Sequence, residues 1–229
     1  MNTGARIKFE VVPQDLDILT HRLKELGCRE ATTVRMEDLR FRESTRRKCE
    51  VPNCGSYGNT FQCPPYTPSR EEAAACLPGA YEYGVIGVMY SPPAEMAVPR
   101  DGNVMKMMER AGSWSARISS IVSKVESRAH ELGYYKAMGF NCGPCTWCGM
   151  WTRRWFDGFA TGKDVAACAL IRSGLCRKHR RSRPSAEPLG IDIAAWLRER
   201  GLITDELIFP EISFECAAEC PFYALVLVG

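Results

Sequence analysis

Residues 104–133, VMKMMERAGSWSARISSIVSKVESRAHELG, decide the fold, because a single apolar stripe runs their whole length. Val104, Met108, Ala111, Trp114, Ile118, Ile121, Val125, Ala129 and Leu132 recur every three or four positions, which predicts a long amphipathic helix. Asp101, Gly102 and Asn103 offer its start, and Gly133 its stop. Upstream, Tyr81 to Tyr90 (YEYGVIGVMY) is β-rich and mostly apolar, as a buried strand requires. Downstream, Tyr134 to Phe140 reads as another short strand. Strand, long helix and strand together predict a right-handed βαβ crossover.

Further out, Ile7, Phe9 and Val11 alternate with Lys8 and Glu10, the pattern of a half-buried strand. Leu16, Leu19, Leu23 and Leu26 keep helical spacing as far as Gly27. Ser69 with Glu71 and Glu72 opens a short helix reaching Cys76, and Asp192 caps one in which Ile193, Trp196 and Leu197 share a face. Phe222 to Val228 reads as a central strand. The expected architecture is α/β or α+β: one domain over residues 1–229, with a mixed sheet, the βαβ crossover and two cysteine-rich loops at 45–80 and 141–190. No repeat or low-complexity tract divides it.

The chain has 229 residues, 45 % of them hydrophobic, enough for a sizeable core. Met1 to Glu10 carries charges and lacks the apolar centre of a secretory signal, and the longest apolar stretch is too short to span a bilayer. A cytoplasmic location is therefore expected, and there clustered cysteines bind metal more often than they form disulfides.

The cysteines number twelve, and most fall in two groups. Cys49, Cys54 and Cys63 sit in a stretch, 49–69, that holds six prolines or glycines, which is loop chemistry suited to wrapping a metal centre. Cys142, Cys145 and Cys148 stand at C-x2-C-x2-C spacing, the run bacterial ferredoxins use for three irons of a [4Fe–4S] cube. For the fourth ligand, Cys176 is favoured over Cys168, whose apolar VAACAL context is that of a buried structural thiol. At the first group Cys76 is nearest in sequence, with Cys216 and Cys220 as rivals. Cys28 reads as packing. Structural zinc favours two separated C-x2-C knuckles, and a third thiol at another x2 step exceeds what zinc needs, so two [4Fe–4S] clusters are preferred to zinc.

Net charge is only +3, yet it is unevenly spread. Arg40 to Lys48 runs into the first cysteine group and Arg177 to Arg183 follows Cys176 directly. An all-thiolate cube carries about two negative charges when oxidised, so these cations suit charge compensation or docking of an anionic partner better than nucleic acid. His179 could donate a hydrogen bond to a cluster sulfur. Trp147 and Trp151 would shield the centre from water. No Walker loop, G-x-G-x-x-G fingerprint or G-x-S-x-G elbow is present.

Three segments carry a resemblance: C-x4-C-G-S-Y-G-N-T-F-Q-C-P-P at Cys49 to Pro65, G-P-C-T-W-C at Gly143 to Cys148, and C-R-K-H…R-P-S-A-E-P-L-G-I-D at Cys176 to Asp192. Here the chain resembles a prokaryotic cysteine-rich family of predicted metal-binding proteins, domain of unknown function 2284. The resemblance implies an iron–sulfur centre and a place beside enzymes of anaerobic metabolism. The chain departs from the family pattern in three ways, one of them Ser185-Ala186-Glu187-Pro188 in place of the usual S-M-E-A. Trp151 stands where members carry a further cysteine, with Cys142 as its substitute on the other side. Gly149 to Leu175 is a long insert before the C-R-K-H segment.

Three readings follow. The preferred one is electron transfer, with two cubes exchanging single electrons with a redox partner protein, alone or as a subunit of an oxidoreductase. The alternative is a cluster-dependent lyase or sulfur-handling enzyme, whose open iron takes a small anionic substrate held by Arg177, Arg180, Arg181, Arg183 and Ser185, with His179 beside them. A zinc-stabilised scaffold subunit is the third reading.

Overall fold

A computed structural model describes residues 7–51, 54, 56–97, 99, 102–148, 168–203 and 219–229. The apolar stripe forms a 28-residue helix, Val104–Glu131 (α5), with Asn103 capping its start through the Lys106 amide. It is flanked by the strands Tyr83–Ser91 (β2) and Ala137–Phe140 (β3). Between these two lies the last strand, Cys220–Val228 (β4), and the edge strand Glu30–Arg35 (β1) completes the order β1-β2-β4-β3. The βαβ connection is therefore of the split kind. β2 and β3 run parallel, and β4 is inserted antiparallel to both, so every ladder in the sheet is antiparallel.

Each face of the sheet is covered. On one, Val85, Met89, Ala224, Val226 and Val228 pack against α5 and against the first helix, Pro13–Glu25 (α1), through Ile118, Val122, Val125, Leu16, Leu19 and Leu23. On the other, Ile86, Val88, Tyr223, Leu225 and Leu227 meet Leu77 of helix Arg70–Ala80 (α3) and the segment from Ala186 to Leu197, which ends in helix Ile193–Glu199 (α7). A strand buried on both faces needs an unbroken apolar run, and that is what β4 supplies. Gly139 lets α5 approach closely: a Cβ there would stand 2.2 Å from Val122 Cγ1. Cys28 is buried in the α1 cluster, its thiol against Gly87, as its packing role requires.

The caps form as expected. Ser69 and Glu72 make a reciprocal capping box on α3, and Asp192 accepts from the Ala195 amide on α7. Two short helices, Glu43–Arg47 (α2) and Pro93–Met96 (α4), and one at Ala169–Ser173 (α6) fill the connections. The expected strand at Ile7 to Val11 does not form. Lys8 makes one isolated bridge to Tyr134, and Ile7 and Phe9 are 61 % and 78 % exposed, because no neighbouring strand receives their alternation. Among the described residues no helix is long and apolar enough to cross a membrane.

Candidate metal centre

Both cysteine loops gather at the end of β3. There Asn141, fully buried, ties the strand to the returning segment: its amide N–H donates to Pro184 O at 2.8 Å and its Nδ2 to Arg183 O at 2.8 Å. The chain then turns at Gly143, in the left-handed region (φ 87°), and enters the C-x2-C-x2-C loop. Arg183 holds the returning segment from the other side, its Nε donating to Glu126 of α5 at 2.6 Å and its Nη1 to Ser182 O at 2.8 Å. Glu126 is buried, so this pair anchors residues 178–183 onto α5.

The first loop folds through tight turns: the Tyr57 amide donates to Cys54 O, Cys63 to Thr60 O and Tyr66 to Cys63 O. It is fastened to the second cysteine region by Gln62, whose Nε2 donates to Ser182 Oγ at 3.0 Å. That same Ser182 Oγ is 3.3 Å from Cys145 Sγ. The Arg42 amide on Gly190 O, and Arg46 on Pro188 O, extend the seam.

One small cavity is lined by Cys145, Cys148, Cys168 and Cys176, together with Thr60, Trp147, Lys178 and Ser182. Thus Cys145, Cys148 and Cys176 line one cavity, and the fourth thiol in its lining is Cys168, at the N-terminus of α6. Cys142 is placed differently. It packs at the seam of both core clusters, within electrostatic reach of Glu187 and Cys220, and burial pushes its thiol pKa well up. Burial likewise raises Cys63 well above 9.0 and Cys49 to about 12, with the neighbouring thiols and Glu187 adding to the rise. Cys63 lies within electrostatic reach of Cys49, Cys54 and Cys145, and Gln62 and Ser182 link the two loops, so the two groups adjoin. Cys76 is exposed and lines a separate groove with Phe61 and Tyr66; Cys220 is buried at the start of β4, and Cys216 lies outside the described residues.

Glu187 was not singled out by the sequence. Its carboxyl accepts from the Tyr223 hydroxyl and from Ser185, and burial raises its pKa. Tyr223 belongs to β4 and Ser185 to the segment tied to Asn141, so the fold brings an acid up to Cys49, Cys63 and Cys142. Nothing in a strand-periodic tyrosine or a lone glutamate announces such a pair. Of the other expected residues, Arg177 and His179 are exposed, and Arg183 and Ser185 are engaged as described.

The donor set suits a thiophilic metal. Among the described residues no three metal-binding side chains already stand close enough to hold an ion. Several hydroxyls are nevertheless left over: Ser56 Oγ and Thr67 Oγ1 around the first loop, and Thr146 Oγ1 in the second, are buried with no hydrogen-bond partner among the described residues. Buried hydroxyls need acceptors, and sulfurs of a bound centre would supply them.

No curated protein and no solved structure matches the chain. A family model does, over residues 32–227, from within β1 to within β4. The chain belongs to the predicted metal-binding protein family, domain of unknown function 2284.

Proposed function

We propose that the chain is an iron–sulfur protein that carries two [4Fe–4S] clusters and transfers single electrons to or from a redox partner. The observation that carries this reading is the cavity lined by four thiols, Cys145, Cys148, Cys168 and Cys176, with Cys49, Cys54 and Cys63 adjoining it. Four thiols supply a full ligand set for one cube, which leaves no coordination position open and favours electron carriage over catalysis. When bound, a cube of this type accepts and releases one electron with little rearrangement. The chain's own residues do the rest. The turns of the first loop bring Cys49 and Cys54 within electrostatic reach of Cys63, and Trp147 lines the thiol cavity. Hydroxyls at Ser56 and Thr146 are available to hydrogen-bond sulfur and so set the potential.

A second reading concerns the first group. There the buried neighbour of Cys49 and Cys63 is the Glu187 carboxyl. A centre held by three thiols beside an acid is the arrangement a cluster-dependent lyase or sulfur-handling enzyme would use for a small anionic substrate.

Electron paramagnetic resonance of the anaerobically purified, dithionite-reduced chain separates these readings. Electron transfer predicts signals of two interacting clusters that small anions leave unchanged. An enzyme with an open iron predicts a signal that shifts with substrate-like anions and is altered by Glu187→Gln.

A further inference from the structure

A second cavity lies outside the cysteine loops, in the groove between α1 and α5, and encloses about 1040 Å³. Ligand sites for small molecules run from roughly 300 to 1,000 Å³, so the groove has room for a sizeable one. Its walls are Arg22 and Glu25 from α1, and Lys124, Arg128 and Glu131 from α5, with Trp147, Arg180 and Arg181 of the second cysteine region completing the lining. Two of the cations are already satisfied, Arg22 by Glu25 at 2.8 Å and Arg128 by Glu131 at 3.0 Å. Lys124, Arg180 and Arg181 have no carboxylate within ion-pair distance among the described residues, and Asp17 is the one remaining acid of the lining. The groove is thus left with an excess of positive charge.

The cationic end is built, not incidental. Arg181 holds its guanidinium 5.5 Å from the centre of the Trp147 ring, while Trp147 Nε1 donates to Arg181 O at 3.0 Å. The Arg183–Glu126 pair fixes the segment that carries these arginines. Trp147 also lines the thiol cavity, so its side chain is the wall common to both. We propose that this groove binds a small polyanion bearing phosphate or carboxylate groups, held by Lys124, Arg180 and Arg181 against the Trp147 wall of the metal centre. Arginine forks match both oxyanions, and the serines of α5 add a polar floor.

The test is calorimetric titration of the metal-loaded chain at low ionic strength with tripolyphosphate in one arm and citrate in the other, with metal content assayed on every sample. At least one anion is expected to bind saturably, and which arm responds names the oxyanion. Binding should weaken with salt and fall roughly tenfold or more in the triple variant Lys124→Gln, Arg180→Gln, Arg181→Gln, while Arg35→Gln, a charge removed from the edge strand β1, leaves it unchanged. Should the triple variant not fold, Lys124→Gln alone, on the exposed face of α5, is expected to weaken binding roughly threefold. Saturable binding of neither anion, or equal affinity in the groove variants and the parent, overturns the proposal. The proposal rests on the groove and not on the metal's identity, so failure with metal retained leaves the reading of the centre standing.

Discussion

Ser182 Oγ stands 3.3 Å from Cys145 Sγ while accepting from Gln62 Nε2 at 3.0 Å, so one hydroxyl joins the first cysteine loop to the second. Supporting partners of metal ligands typically contribute 10–100-fold in affinity. Ser182→Ala is therefore expected to lose metal roughly tenfold more readily to a competing chelator, with near-parental circular dichroism.

The thiol cavity makes its own prediction about ligands. Cys168→Ser should cost the chain about one cluster's worth of iron, the four irons of a cube. Cys142→Ala should keep the iron but lower the unfolding free energy by about 1–3 kcal/mol, since a half-buried side chain is removed from the seam between two core clusters. Iron per chain and urea unfolding read the two effects separately.

Much of the fold is legible because its signals are local. The apolar stripe of α5, the capping residues Ser69, Asn103 and Asp192, and the unbroken apolar run of β4 each form as their residues dictate. β1 is not legible: EATTVR is polar enough for an edge strand with one buried residue, and nothing in it alternates strongly. The insertion of β4 between β2 and β3 is a long-range pairing that no local pattern carries. At the site, spacing marks the two cysteine groups but not which thiols share a cavity, because that depends on how the chain returns after residue 168. The apolar run around Cys168 reads as core, yet the thiol lines the cavity from the start of α6. Glu187 and Tyr223 meet only through tertiary structure.

The Tyr223–Glu187 hydrogen bond satisfies a buried carboxyl. Tyr223→Phe leaves that carboxyl one donor short and is expected to destabilise the chain by about 1–3 kcal/mol in denaturant unfolding. Glu187→Gln, which keeps hydrogen-bonding capacity without the charge, should cost less.

Stability should depend on pH in the alkaline range. Burial raises Cys28 and Cys49 from 9.0 to about 12 in the folded chain. Between these values the folded state keeps protons that the unfolded state releases, so stability is full below the unfolded pKa and is lost as pH rises towards 12. Each thiol contributes up to about 1.4 kcal/mol per pH unit in that window. Metal-free protein is expected to show both contributions in urea unfolding above about pH 9. Metal binds thiolates, so metal uptake should release protons and strengthen with pH.

The central claim is met most directly by counting iron and acid-labile sulfide in anaerobically purified protein. Two cubes predict about eight of each per chain, with broad absorption near ~400 nm. A well-folded, colourless chain that holds zinc and contains neither iron nor sulfide would contradict the account.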